Sequence, residues 1–276
     1  MRFSVRHATT YRYSTPVVLA PHVLRFTPRA AEGVLSRSIV VAPAPIEQRE
    51  ELDVDGNTIT HVTFGSAATT ELTIESTFVL ETRAPFVPLV GASPPLPWPR
   101  ANDGLARYLP DDASDPEVAA FARQVAAEAG NDPVAFLNRL CVTMHARADK
   151  HVRTEGNAQP PGETLASWRG ACRDYTVLFI AAARSLGLPA RFVSGYQAAA
   201  ETPDGSFYLH AWPEVFIPGA GWCGWDPTHG IPVGDGHVAI CAGPEQLGTM
   251  PVTGGFYFNG ATVTSRLEFD LRIETT

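Results

Sequence analysis

The chain has 276 residues, and at about 150 residues per domain this length predicts roughly two domains. Apolar residues make up 45% and charged residues 18%, a balance that supplies a buried core and excludes a disordered chain. The net charge of −8 excludes a general binder of nucleic-acid backbones, since such proteins present a basic face. It does not favour anionic membranes either. We therefore expect neither nucleic acid nor membrane as a partner.

Membrane spans and export signals are not predicted. No apolar run approaches the roughly 18 residues that a membrane-spanning helix needs. The opening stretch MRFSVRHATTYRYS lacks the apolar segment of a secretory signal, so we expect a cytoplasmic protein. Four cysteines without a CxxC pair are too sparse for a disulfide scaffold or a zinc knuckle. Each is then either a small packed residue or a reactive thiol.

Residues 1–83 show short alternating runs separated by turns, the pattern of antiparallel strands. Leu72–Leu80 is a run rich in β-branched residues, and Asp55-Gly56-Asn57 is typical of a hairpin turn. These features predict a β-sandwich-like domain. Six prolines between residues 84 and 100 disfavour helix and central strand, so we place the domain boundary there and count the linker within residues 1–100.

Helices with clear start and stop signals come next. Asp115-Pro116 and Asp132-Pro133 each supply an N-cap followed by a first-turn proline. A third helix is predicted from about Cys172 to Leu186, because Gly187 follows at the position that ends helices. From Ala190 onward the pattern returns to strands, and the other three cysteines lie in apolar patterns that predict core packing.

Candidate chemistry gathers at Cys172 and His210. Cys172 falls in the first turn of the third helix, where unpaired N–H groups and the helix dipole favour a thiolate and could hold an oxyanion. Asp174, at the third helical position, is expected to cap the backbone. His210 lies on a predicted strand whose alternation puts Tyr208 and Trp212 on the same face. The alternative interpretations are a packed cysteine and a core histidine.

The register of one hairpin joins His210 to Asp226. The turn Pro218–Gly221 is centred between residues 219 and 220, so the numbers of facing residues should sum to about 438. His210 and Asp226 fall two short of that sum, which places them on one face, opposite or diagonal. The carboxylate could then accept a hydrogen bond from one ring nitrogen and leave the other to face a thiol. Asp226 as a plain turn residue before Pro227 is the alternative.

Metal and cofactor chemistry is not predicted. No local HxxxH or CxxC pair supplies the nucleus of a zinc site. Gly219-Ala220-Gly221 precedes a strand rather than a helix, so it is not a phosphate-binding loop. His229 is interpreted as a turn residue. We expect no metal and no cofactor.

Several segments resemble the bacterial transglutaminase-like superfamily. They are GACRDYTVLFIAAARSLGLPARFVSGY and HAWPEVFIPGAGWCGWDPTHG, with LRFTPR and DVDGNTITHVTF similar to the β domain that accompanies this core. The resemblance implies an α+β fold: an N-terminal antiparallel β domain, a papain-like transglutaminase core of helices on an antiparallel sheet over residues 101–235, and a C-terminal β tail over 236–276. It implies Cys172 as nucleophile, His210 as base and Asp226 as its orienting partner.

This triad implies a thiol-dependent amide hydrolase or acyl transferase that works through a thioester. Water as acceptor gives a cysteine peptidase or amidase, and an amine gives a transglutaminase-like enzyme. The expected substrate is a peptide or protein-like amide, with Tyr208 and Trp212 as an aromatic wall that binds it. Two alternatives remain. One is an arylamine N-acetyltransferase-like enzyme, suggested by Arg169-Gly170-Ala171-Cys172, and the other is a non-catalytic partner-binding module of the same fold.

Overall fold

Antiparallel sheets and a small group of helices build the protein, which a computed structural model describes over residues 1–29, 33–84, 89–99, 104–109, 115–153, 155–200, 205–260 and 262–276. The described strands are β1 (Arg2–Leu19), β2 (His22–Leu24), β3 (Val34–Ala42), β4 (Glu47–Leu52), β5 (Thr58–Thr63), β6 (Thr69–Glu81), β7 (Asp149–Lys150), β8 (Arg169–Gly170), β9 (Ala190–Gln197), β10 (His210–Ile217), β11 (Gly221–Asp226), β12 (Ile231–Pro232), β13 (His237–Gly243), β14 (Val252–Thr253), β15 (Phe256–Tyr257) and β16 (Ser265–Thr275). The described α-helices are α1 (Pro116–Glu128), α2 (Pro133–Arg147), α3 (Pro161–Ser167) and α4 (Cys172–Ser185), and Ala106–Tyr108 and Gln246–Thr249 form short 3₁₀ helices.

Two antiparallel sheets form the N-terminal region. In the first, β1 lies between β6 and β16, with β3 beyond β6 and β15 at the far end of β1. The second has the order β14-β2-β5-β4. Strand β6 alternates buried and partly exposed residues along its length, because successive side chains of a strand point to opposite faces. Apolar residues from both sheets pack together: Tyr13, Val17, Leu19, Leu24, Phe26, Val41, Val62, Leu72 and Ile74. The predicted N-terminal antiparallel β architecture is confirmed.

The second half packs helices against an antiparallel sheet of order β12-β11-β10-β9-β13. The Asp115 carboxylate accepts from the Glu117 amide at 2.9 Å, and Asp132 accepts from the Ala135 amide at 2.8 Å, so both predicted helix caps form. Helix α4 packs across β9 and β10, and its apolar face contributes Tyr175, Leu178, Phe179, Ala182 and Ala183 to the core. The predicted α+β fold, with helices on an antiparallel sheet, is confirmed.

The C-terminal segment is divided between the two halves. Strand β13 lies at the edge of the second sheet beside β9, whereas β16 pairs with β1 from Phe3↔Thr275 to Tyr13↔Ser265. Residues 236–276, predicted as a separate C-terminal tail, therefore add strands to the sheets of both halves. A shared core joins the halves, made of Phe3, Val5, Phe78, Leu80, Tyr196, Val238, Ile240, Leu271 and Ile273.

Part of the proline-rich linker, residues 85–88 and 100, lies outside the described residues. Its described part contains no helix or strand and is held by hydrogen bonds to the helical layer. The Leu96 amide donates to the Asn131 carbonyl at 2.8 Å, and the Trp98 amide donates to the Leu186 carbonyl at 2.9 Å. Within the described parts of the chain, the longest and most apolar helices still fall short of what crossing a bilayer requires.

Candidate active site

A cavity of about 420 Å³ lies where the two halves meet. Its wall includes residues of β1 and β16 from the N-terminal sheet, the segment after β7, the start of α4 and the start of β10. Cys172 reaches this wall as the first residue of α4, and His210 reaches it as the first residue of β10. Asp226, at the end of β11, is fully buried and connects to the cavity through His210.

A buried carboxylate holds the chain at the start of α4. Asp174 Oδ2 accepts from the Ala171 amide at 2.7 Å, and its Oδ1 accepts from the Gln159 amide and from Arg153 Nη2, each at 2.7 Å. Asp174 thus caps the backbone, as its position predicts. These bonds fix the turn that precedes α4, whose first residue is Cys172. At that helix N-terminus, unpaired N–H groups and the helix dipole favour negative charge.

The β10–β11 hairpin has the predicted register. Glu214 faces Gly224 and Ile217 faces Gly221, so paired residue numbers sum to 438. Beyond Glu214 the ladder ends and β11 turns to pair with β12. There the Nε2 atom of His210 lies 2.8 Å from Oδ2 of Asp226, and both side chains are fully buried.

Two further histidines meet the same carboxylate oxygen. His229 Nδ1 lies 2.8 Å and His237 Nε2 lies 3.0 Å from Oδ2 of Asp226. The other oxygen, Oδ1, accepts from the amides of Thr228 at 3.0 Å and His229 at 3.2 Å. His229 is therefore the turn residue that its sequence indicates and also a partner of Asp226. No sequence pattern predicts this role for His237.

The environment of Asp226 determines where its partners carry protons. Burial acts to raise the pKa of Asp226, but the charge of His210 and hydrogen bonds from the three histidines hold that pKa well below its usual range. An ionised carboxylate only accepts, so each histidine nitrogen that faces it carries a proton. His237 agrees, because its Nδ1 accepts from the Gly234 amide at 3.3 Å and leaves the proton on Nε2. In neutral His210 the basic nitrogen is therefore Nδ1.

The nitrogen and oxygen atoms of His210, Asp226 and His229 lie within 4.8 Å of one another, close enough to suggest a metal centre. Ligand atoms about 2.0–2.1 Å from a tetrahedral zinc ion would be about 3.3 Å apart. Here each histidine nitrogen is 2.8 Å from the carboxylate oxygen, which is a hydrogen-bond distance. As arranged, the three groups form a hydrogen-bonded cluster rather than a coordination shell.

The two predicted aromatic residues have different surroundings. Tyr208 lines the cavity and meets Phe269 edge to face, with ring centroids 5.7 Å apart. Trp212 is 1% exposed and lies outside the cavity wall, with its ring centroid 6.0 Å from that of His210. It packs over Gly195, where an added Cβ would come within 2.4 Å of the indole. Trp212 is therefore a core residue that supports His210, and its predicted place in a substrate-binding wall is not what the structure shows.

The four cysteines differ in burial. Burial raises the pKa of the Cys141 and Cys241 thiols to about 12 and that of Cys223 to about 11, so all three stay protonated at neutral pH. Cys172 is partly exposed in the cavity wall. Among the four, only Cys172 shares a cavity with His210. An accessible thiol at a helix start, in the same cavity wall as an imidazole that is hydrogen-bonded to a carboxylate, has the groups that nucleophilic acyl transfer needs.

Helices on an antiparallel sheet, with a cysteine at the central helix start and a hydrogen-bonded histidine and aspartate on the sheet, define an α+β protein with a transglutaminase-type core. Comparison with known families agrees. Residues 119–227 match the Transglutaminase-like superfamily, and residues 3–81 match the Bacterial transglutaminase-like N-terminal region. The chain therefore has a transglutaminase-like core preceded by a bacterial transglutaminase-like N-terminal region.

Individual proteins are also similar to this chain. An uncharacterized protein of Mycobacterium leprae is 26% identical, with 100% of this chain and 98% of that protein covered. A protein-glutamine gamma-glutamyltransferase of Pseudomonas aeruginosa is 37% identical over 68 residues, which is 22% of this chain and 10% of that enzyme. The crystal structure of a "putative cysteine protease" from Cytophaga hutchinsonii is similar with a TM-score of 0.66 and 19% identity, covering 100% of this chain and 91% of that one. This last likeness concerns the fold.

Proposed function

We propose that the protein is a thiol-dependent amide hydrolase or acyl transferase that forms a thioester on Cys172. One observation carries the proposal. The thiol of Cys172 opens from a helix N-terminus into the same cavity as His210, whose Nε2 is bound to the ionised, buried Asp226. This combination provides a nucleophile, a base and a group that orients the base.

The first half of the reaction forms the thioester. The Cys172 sulfur, deprotonated by His210, attacks the amide carbonyl, a C–S bond forms, and the carbonyl oxygen becomes an oxyanion. Backbone N–H groups at the start of α4 stabilise that negative charge. When the oxyanion collapses, the C–N bond breaks and His210 gives its proton to the leaving amine. Asp226 stabilises the imidazolium and keeps the ring in the tautomer that this step needs.

The second half releases the acyl group. Water or an amine, deprotonated by His210, attacks the thioester, and the sulfur leaves as a thiolate that recovers the resting state. Water yields a carboxylic acid, and an amine yields a new amide. The short match to a protein-glutamine gamma-glutamyltransferase supports including amine acceptors in any assay. The fold likeness to the Cytophaga hutchinsonii protein supports including hydrolysis.

Thiol labelling tests the nucleophile. We expect iodoacetamide near pH 7 to alkylate Cys172 well before Cys141, Cys223 or Cys241, because the three buried thiols have raised pKa values and the helix start favours a thiolate. Peptide mapping by mass spectrometry reads the order of labelling. Faster labelling of another cysteine, or labelling of Cys172 no faster than in the urea-unfolded chain, would overturn the assignment.

A turnover assay tests the reaction. The purified protein is incubated with a mixed peptide library, with and without a fluorescent primary amine, and products are identified by mass spectrometry. Wild type should give cleaved peptides, amine-linked peptides or both, and Cys172→Ala should give neither. Equal product formation by Cys172→Ala, or none by wild type with a fast-labelling Cys172, would contradict the proposed enzyme and favour a non-catalytic binding module.

A further inference from the structure

One apolar face of β16 continues from the protein core into the cavity. Its side chains at alternate positions are Leu267, Phe269, Leu271 and Ile273. Leu271 and Ile273 are 9% and 8% exposed in the core shared with the second sheet. Leu267 and Phe269 are 49% and 40% exposed, and both line the cavity that contains Cys172. Neighbouring large apolar side chains left open on a strand are typical of a binding surface.

Two tyrosines extend this surface. Tyr11 of β1 is the ladder partner of Leu267 and also lines the cavity. Tyr208, which precedes β10, packs edge to face on Phe269. We call these four residues, Tyr11, Tyr208, Leu267 and Phe269, the apolar wall. The N-terminal sheet supplies three of the four, because β16 returns to pair with β1.

Tyr11 and His7, two ionisable groups at this side of the cavity, are neutral at pH 7. Burial raises the pKa of Tyr11 to about 12 and lowers that of His7, its neighbour in the cavity wall, to about 4. Charged groups in the cavity wall belong instead to the Cys172 side. Arg173 directly follows Cys172, and Arg153 pairs with the Asp174 carboxylate that caps α4. A charged substrate group would lose water at the apolar wall without gaining an ionic partner.

We propose that the apolar wall is an acyl-donor subsite that binds an aromatic or branched aliphatic side chain next to the amide that Cys172 attacks. This inference rests on the proposed function, since it assigns the substrate of the same site. Because the apolar wall and Cys172 line the same cavity, a group bound at the wall belongs to the molecule whose carbonyl reaches Cys172. The cavity of about 420 Å³ lies within the range of pockets that enclose a small ligand or a short peptide segment.

Peptidyl vinyl sulfones test the subsite. Four probes differ only in the side chain beside the electrophile, which is that of Phe, Leu, Gly or Glu. Addition forms one S–C bond, and the resulting carbanion takes up the proton that the thiol gave to His210. We expect the Phe and Leu probes to alkylate Cys172 about tenfold or more faster than the Gly and Glu probes, the discrimination that apolar pockets achieve. Mass spectrometry of the intact protein measures the rates.

Variants of the wall sharpen the test. Leu267→Ser and Phe269→Ser should each reduce the Phe-to-Gly rate ratio several-fold and leave the iodoacetamide rate unchanged. Leu35→Ser is the matched control, because Leu35 lies on β3 of the same sheet, is 55% exposed and is outside the cavity wall. It should leave the ratio unchanged. Thermal melts verify folding, and either wall variant suffices if the other fails to fold.

The outcomes separate this proposal from the preceding one. If iodoacetamide does not select Cys172, the proposed function fails. If it selects Cys172 while the four probes react equally, or Glu reacts fastest, the subsite fails and the proposed function stands. A ratio that falls as much in Leu35→Ser as in Leu267→Ser also overturns the subsite. A wall variant that changes only the sedimentation coefficient would assign the wall to a second copy of the chain instead.

Discussion

Each half of the molecule contains a cluster of charges that bridges strands, and the two clusters differ in their contact with water. On the N-terminal sheet, Arg6 Nη1 lies 2.6 Å from Asp270, and Arg12 Nε lies 3.2 Å from Glu268, with all of these side chains at least 40% exposed. In the core, fully buried Asp226 accepts hydrogen bonds from three histidines.

The difference in burial gives the clusters different energetic weight. Water and salt screen the exposed pairs, so they contribute little to the free energy of unfolding. An ionised carboxylate removed from water costs several kcal/mol unless hydrogen bonds replace its hydration. Five donors surround Asp226, three from imidazoles and two from backbone amides. The core cluster is therefore a costly arrangement that specifies one geometry, whereas the surface pairs are replaceable.

Removal of the buried charge should have the largest effect. In Asp226→Asn we expect the rate of Cys172 acylation to fall by about 10³–10⁴-fold, because a neutral amide neither stabilises the imidazolium nor selects its tautomer. Asp270→Asn removes the same charge on the surface and should leave the rate unchanged. Release of the leaving amine from a peptide substrate in the turnover assay, followed by mass spectrometry, measures both rates. Comparable losses in the two variants would break the contrast between buried and exposed charge.

His7 provides a buried titratable group that has only neutral hydrogen-bond partners. Its Nδ1 lies 3.0 Å from the Tyr196 hydroxyl, and burial lowers its pKa to about 4. The unfolded chain then binds more protons than the folded chain between pH 6.5 and 4, so stability decreases as pH falls through this window. From pH 7 to 5 the expected loss is on the order of 2 kcal/mol.

Urea unfolding at pH 7 and pH 5 measures this loss. His7→Gln should lower stability at pH 7 and flatten its dependence on pH. The other cavity-side group, Tyr11, has a pKa of about 12 and does not titrate in this range. If the free energy of unfolding depends on pH equally in wild type and His7→Gln, other groups cause the loss of stability in acid.

Substitution of His237 tests whether hydrogen-bond donors other than His210 position Asp226. His237→Phe keeps a ring but removes the donor to Oδ2, and we expect kcat to fall about tenfold, or about 1.4 kcal/mol, with little change in KM. His237 does not line the cavity, so it contacts no substrate there. His237→Gln retains an N–H donor and should recover part of the rate. A rise in KM alone, or no recovery with Gln, would argue against positioning.

The surface cluster should show the smallest effect. Arg12→Gln removes the guanidinium between Glu71 and Glu268. We expect the melting temperature to remain within replicate scatter in high salt, where exposed charges are screened. The probe-labelling rate should not change at any salt concentration. A clear loss of stability in high salt would show that the surface network is more than a set of replaceable pairs.

Local rules predicted much of the site. The N-caps at Asp115 and Asp132 and the start of α4 at Cys172 depend on residues within one helical turn, and they form as predicted. The hairpin register that brings His210 to Asp226 depends on one short turn. The catalytic roles of Cys172, His210 and Asp226 stay predictions. So do the peptide-like substrate, the absence of cofactor and metal, the exclusion of nucleic acid and membrane as partners, and the cytoplasmic location.

The sequence by itself determined the starts of the three long helices α1, α2 and α4 and the register of the β10–β11 hairpin, because these depend on neighbours a few residues apart. Only the tertiary structure decided which distant elements meet. His237 reaches Asp226 because β13 lies beside β9. Trp212 is a core residue because the same strand pairing packs His237 against its ring. The apolar wall exists because β16 pairs with β1 across more than 250 residues. Alternation along a strand tells which side chains share a face, but sheet order decides whether that face meets core or cavity.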